Sequence, residues 1–189
     1  KGLASVVGKK GFEVTVQTLA ADGWQLCDDR KVMLLEKIKK SGTPLSKYVN
    51  GQIFYGIKTG LNEAFVVDIA TKDKLIREDK KSAEVLKPFL AGRDVKRYEP
   101  AKSDNWLILF PKGFTNAHAQ KGENAWKWLQ SEYPAIARHL ALYEAKAKVR
   151  CDKGDYWWGL RACDYYDKID SHKIMYPDIS QNGNFVFDN

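Results

Sequence analysis

The chain has 189 residues, enough for one domain, or one domain with a subdomain, around a real core. Hydrophobic residues make up 44% and charged residues 29%, with a mean hydropathy of -0.48, which excludes a disordered or membrane-embedded class. The net charge of +7 favours a polyanionic partner without choosing which one.

The opening Lys1-Gly2-Leu3-Ala4-Ser5 has neither an initiating Met nor a long apolar run. It is read as the start of a segment inside a longer protein, without a signal peptide. Phe12 to Leu19 alternates apolar and polar residues and predicts a strand. Asp28 or Asp29 is placed to cap a helix from about Arg30 to Lys40, with Gly42 stopping it and Leu34, Leu35 and Ile38 on its apolar face. Gln52 to Ile57 and Ala64 to Asp68 read as two strands around a tight loop at Lys58-Thr59-Gly60-Leu61-Asn62. Ser82 is placed to cap a short helix ending near Lys87-Pro88. Strands are expected around Val95 to Tyr98 and Trp106 to Phe110. Glu123 to Arg150 reads as helical and divided by Pro134, with Ile136, Leu140, Tyr143 and Ala147 on one face. Trp157 and Trp158 are read as neighbours on a strand, facing opposite ways. Lys173 to Tyr176 and Phe185 to Phe187 close the series as strands. The absence of a regular strand–helix alternation points to an α+β fold with a mixed sheet.

Known site chemistries find little support. Gly51-Gln52-Ile53-Phe54-Tyr55-Gly56-Ile57-Lys58-Thr59 departs from a phosphate-binding loop, because Ile57 separates the glycine from the lysine. Pro177-Asp178 lacks the downstream acids and lysine that a metal-dependent nuclease needs. His118, His139 and His172 are scattered, and Asp152 and Asp155 around Gly154 read as a solvated turn. Cys27, Cys151 and Cys163 fit no zinc spacing; they are read as buried small hydrophobes in a protein of the reducing cytoplasm. An Asn-Pro-Pro-Tyr signature and a glycine-rich cofactor loop are both missing, so this segment is expected to be no enzyme by itself.

Four segments in order carry a resemblance. They are Trp24-Gln25-Leu26 with Pro44-Leu45-Ser46-Lys47-Tyr48-Val49; the ten residues from Gly56 to Phe65; Leu86 to Tyr98 followed by Trp106-Leu107-Ile108; and Trp157-Trp158-Gly159-Leu160-Arg161 with the eight residues from Lys173 to Ser180. Together they resemble the TaqI-like C-terminal specificity domain of type IIG restriction-modification enzymes and related adenine-specific DNA methyltransferases. Ile169 departs from the family's usual aromatic, and Ser171-His172 from its usual proline before the lysine. The resemblance implies a module that reads a short duplex DNA sequence and presents the target adenine, flipped out, to a separate methylase domain. It implies a leading segment over 1–23, a recognition domain over 24–189 lacking its C-terminal part, and an upstream methyltransferase domain of the same longer chain. No cofactor is expected in this segment; S-adenosylmethionine belongs to the parent protein, with Mg and endonuclease activity left open.

The candidate DNA-binding residues are Lys58, Thr59, Asn62, Arg93, Lys96, Arg97, Arg161, Lys173 and Tyr176. Ammonium and guanidinium groups suit phosphates, and a guanidinium in an aromatic surround suits a bidentate contact with a base edge. Each also has a plain structural reading: a glycine turn at Lys58 to Asn62, an Arg93–Asp94 pair, an exposed sheet rim at Lys173 to Ser180. A protein-interaction or RNA-binding module of a phage-defence methylase remains the alternative.

Overall fold

In the computed structural model, residues 2–14, 16, 23–24, 27–119 and 124–188 are described. The chain divides into two units, Lys1–Tyr55 and Gly56–Asn189.

Among its described residues the first unit holds three helices: α1 (Leu3–Lys10), α2 (Asp29–Ser41) and α3 (Leu45–Tyr48). α2 begins where Asp28 accepts the Arg30 N–H at 2.9 Å and ends where the Gly42 N–H donates to the Ile38 carbonyl. Those caps are the ones the sequence marked. Its apolar face, by contrast, is exposed at Leu34 and Ile38, and no residue of α2 is buried. The strand expected over Phe12–Leu19 is not formed at Phe12, Glu13, Val14 or Val16; Thr15, Gln17, Thr18 and Leu19 lie outside the described residues, as do Gln25 and Leu26.

The second unit is α+β. A three-stranded antiparallel sheet has the order β1 (Val66–Asp68), β3 (Asn105–Ile108), β2 (Leu86–Phe89), with Val67 opposite Trp106 and Leu86 opposite Ile108. Pro88 sits in β2, an edge strand, where its missing N–H costs no ladder bond. Around this sheet run α4 (Asn62–Phe65), α5 (Ile69–Glu78), a 3-10 helix (Lys80–Val85), a second 3-10 turn (Gly92–Asp94) and α6 (Phe114–His118). Then follow α7 (Ala125–Glu132), α8 (Pro134–Ala141) and α9 (Glu144–Val149). The last part carries α10 (Tyr166–Ile169) and a two-stranded antiparallel sheet of β4 (Lys173–Met175) and β5 (Val186–Asp188).

The α7–α9 region follows its sequence pattern at Pro134, but a turn at Leu142–Tyr143 breaks the single helix expected from Pro134 to Arg150, and Glu123 lies outside the described residues. Asn124 caps α7 by accepting from the Trp126 and Lys127 N–H groups at 3.1 Å, and Pro134 opens α8. Ile136 and Leu140 are fully buried in one cluster with Phe65, Leu107, Ile108, Phe110 and Leu129; Ala147, on α9, is fully buried as well, and Tyr143 between the helices is half-buried. Burial of one such aliphatic side chain contributes about 1.5–3 kcal/mol.

Other expectations are corrected. Gln52–Ile57 forms no strand, and Ala64–Phe65 belong to a helical turn. Asp79, not Ser82, caps the helix before β2: its carboxylate accepts the Lys81 N–H at 3.0 Å, and the Ser82 hydroxyl donates to it. That helix is 3-10 and stops at Val85, because Leu86 to Phe89 joins the sheet. Val95–Tyr98 forms a turn instead of a strand. Trp157 and Trp158 lie in a turn too; Trp158 is buried and donates its indole N–H to the Thr115 hydroxyl at 3.2 Å. β4 ends at Met175, so Tyr176, Asp178 and Ser180 do not continue a strand face. The cysteines are free, and none is buried: Cys151 is exposed and the others are half-buried. Among the described residues, no helix is long and apolar enough to cross a membrane.

Candidate nucleic-acid interface

The Gly56–Asn62 segment is shaped by one glycine. Gly60 has φ +67, a left-handed conformation that suits glycine. A Cβ there would lie 3.0 Å from the Asp152 Cβ and 3.5 Å from the Arg150 Cδ, so the turn packs tightly on residues 150–152. Thr59 is buried, and its hydroxyl is engaged within the turn: it donates to the Asn62 Oδ1 at 2.5 Å and accepts the Leu61 N–H at 3.1 Å. Lys58 and Asn62 are exposed on either side, and Lys58 makes no ion pair among the described residues.

Arg161 reaches the same place. Its guanidinium lies 3.6 Å from the Asp152 carboxylate and is partly exposed, while the Tyr166 hydroxyl holds its carbonyl at 3.0 Å. Gly60 and Arg161, a hundred positions apart in the chain, thus meet at Asp152, and Lys58, Thr59 and Asn62 belong to the Gly60 turn. The bidentate aromatic cradle expected for Arg161 gives way to a carboxylate partner.

Beneath the Gly60 turn lies Arg150, which helical spacing puts off the apolar face as a solvated charge and which the structure instead buries. It is 93% buried, with its guanidinium 4.0 Å from the Phe65 ring centroid and one amino group donating to the Gly159 carbonyl. Its Nε and Nη1 have no hydrogen-bond partner among the described residues. Burial pushes its pKa down to about 10, against the opposing pull of Asp152. Buried cations are normally paired, and the sequence pattern, which placed Arg150 on a solvated helix side, gave no sign of its burial just past the end of α9.

A second group forms around Gly92. A Cβ there would lie 3.5 Å from the Pro177 Cβ, which sets the Arg93–Arg97 segment beside Tyr176. Arg93 is exposed, 3.8 Å from Asp94, and Lys96 is exposed, 3.6 Å from Glu99. Exposed pairs of this kind contribute only about 0–1 kcal/mol each, so both cations remain open to exchange partners. The Arg97 guanidinium sits 4.7 Å from the Tyr98 ring centroid. Tyr176 is partly exposed, with its ring 5.7 Å from that of Phe185. Lys173 stands apart from these cations: its ammonium pairs with Asp188 across the β4–β5 ladder and is mostly covered.

Among the described residues, no three His, Cys, Asp or Glu side chains form a metal-sized cluster. The two groups therefore offer cations, an amide and aromatic rings, a donor-rich set suited to polyanion binding. No protein-family model matches this sequence, and neither does any curated protein.

Proposed function

We propose that this chain is a sequence-specific double-stranded DNA recognition module of the TaqI-like specificity type. It would act in the cytoplasm beside an adenine-specific methylase domain of a longer protein, where S-adenosylmethionine supplies the methyl group. The observation that carries the reading is that the Gly60 turn, flanked by the exposed Lys58 and Asn62, packs on Asp152, which also pairs with Arg161. A turn fixed by the Thr59 hydrogen bonds and by close packing on Asp152 holds its exposed donors in place, which is what a base-edge contact requires. Lys96, Arg93 and Arg97 suit the backbone phosphates, whose neutralisation makes binding salt-dependent.

Asp152 gives Arg161 a role with two states. In the free protein its carboxylate neutralises the guanidinium at 3.6 Å. A guanine edge offering two acceptors replaces that single long contact with a bidentate one, worth about 1–3 kcal/mol of discrimination against a wrong base. A phosphate would do so for every sequence equally.

Selection from a random duplex pool tests the reading. The expected result is one enriched short motif, with affinity falling as salt rises. Arg161→Ala is expected to flatten the motif at one position, and Lys96→Ala to weaken binding to all sequences and reduce the salt slope by about 1. A pool that emerges without a motif, or binding unchanged by salt, overturns the proposal.

A further inference from the structure

The Lys96–Glu99 segment closes as a four-residue turn, with the Glu99 N–H donating to the Lys96 carbonyl at 3.4 Å. Its third residue, Tyr98, has φ +65. A turn with positive φ at that position favours glycine or asparagine, because a Cβ crowds the backbone there. Among the described residues the other non-glycine at positive φ is Asn50, a residue type that tolerates it. Tyr98 is the exception, and packing does not repay it: the side chain is 86% exposed. Its ring contact is the Arg97 guanidinium.

What surrounds the ring narrows what it can meet. Arg93, Lys96 and Arg97 are exposed on the same segment. An apolar protein partner would be met by further apolar side chains; a polyanion with flat π faces is met by cations flanking an aromatic ring. Backbone strain held in place without compensating burial is a mark of a functional side chain.

We propose that Tyr98 is a base-stacking residue: its ring packs on an unpaired nucleobase of the bound DNA, while Lys96 and Arg97 hold the neighbouring phosphates. This rests on the DNA-recognition reading above and adds to it a residue that contacts a base by its face instead of its edge.

The test compares two 30-base-pair duplexes of mixed sequence, one fully paired and one with a single bulged adenine, against the whole chain. The expected result is about tenfold tighter binding of the bulged duplex, since aromatic stacking on a freed base is sequence-tolerant and strong. Tyr98→Phe keeps that preference. Tyr98→Gly abolishes it while melting no lower than the parent, because glycine suits the turn. Lys96→Ala weakens both duplexes alike and leaves the preference in place. Equal binding of the two duplexes by the parent protein, or a preference that survives Tyr98→Gly, overturns the stacking role with the DNA reading intact. Binding to neither duplex overturns the DNA reading and this inference together.

Discussion

Gly60 and Tyr98 share a backbone conformation, φ +67 and φ +65, and sit in opposite surroundings. At Gly60 the turn is pressed against Asp152 and Arg150, and its neighbour Thr59 is buried with its hydroxyl engaged in the turn. At Tyr98 the side chain extends into solvent. Glycine at the first position answers both a conformational demand and a lack of room. At the second position only the conformation is demanding, and a bulky residue occupies it at a cost. The contrast teaches that one backbone geometry can serve rigidity in one turn and presentation of a side chain in the other.

The largest effect that would sharpen this contrast is at Gly60. Gly60→Ala is expected to destabilise the fold by about 2–3 kcal/mol, read from denaturant unfolding, because it adds left-handed strain to a close contact with Asp152. A neutral result would mean the turn is not locked on residues 150–152. Thr59→Val keeps the shape and removes the hydroxyl that accepts the Leu61 N–H. A loss of about 1–2 kcal/mol is expected, and a stability equal to the parent's would show that the turn does not depend on that bond. Tyr98→Gly is expected to move the other way, stabilising by about 1 kcal/mol through relief of strain. A lower melting temperature would mean that the tyrosine supports the fold after all.

The smallest effect is a pH dependence next to the Gly60 turn. His139 donates to the carbonyl of Ala64, in the helical turn that begins at Asn62, at 3.0 Å. Burial lowers its pKa below the ordinary 6.5, with the Ala64 carbonyl opposing and Lys74 adding to the fall. Below 6.5 the unfolded chain takes up the proton before the folded one does. Stability is therefore present above 6.5 and lost as pH falls through the lower folded value. His139→Gln is expected to remove that slope in unfolding measured between pH 7 and 5; an identical slope in the variant would assign it elsewhere.

Much of the fold was legible where local signals and burial agree. The α8 face of Ile136 and Leu140, Pro134 at its start, the Asp28 and Gly42 caps of α2, and the strands at Trp106 and Lys173 all read directly from pattern. The misreadings fall on short apolar stretches whose state depends on partners. Gln52–Ile57 has strand-like residues, yet no strand lies beside them among the described residues. Leu86–Phe89 looked like the end of a helix before a proline, and its pairing with β3 made it an edge strand. Of the candidate site, the cations and the Gly60 turn were visible in the sequence. The partners were not: nothing in the spacing of Asp152 or Arg150 linked them to a turn ninety residues earlier.

The sequence by itself determined the α+β class, the capped helices and the basic character of two segments, because caps, periodicity and charge act over a few residues. Tertiary structure alone decided that Asp152 faces Arg161, that Lys173 is taken up by Asp188, and that Arg150 lies under the Gly60 turn with two guanidinium nitrogens unpaired among the described residues. Those are relations between distant residues, set by which surfaces the core brings together. The same division explains Tyr98: its identity is plain in the sequence, but its strained and exposed setting exists only in the folded turn.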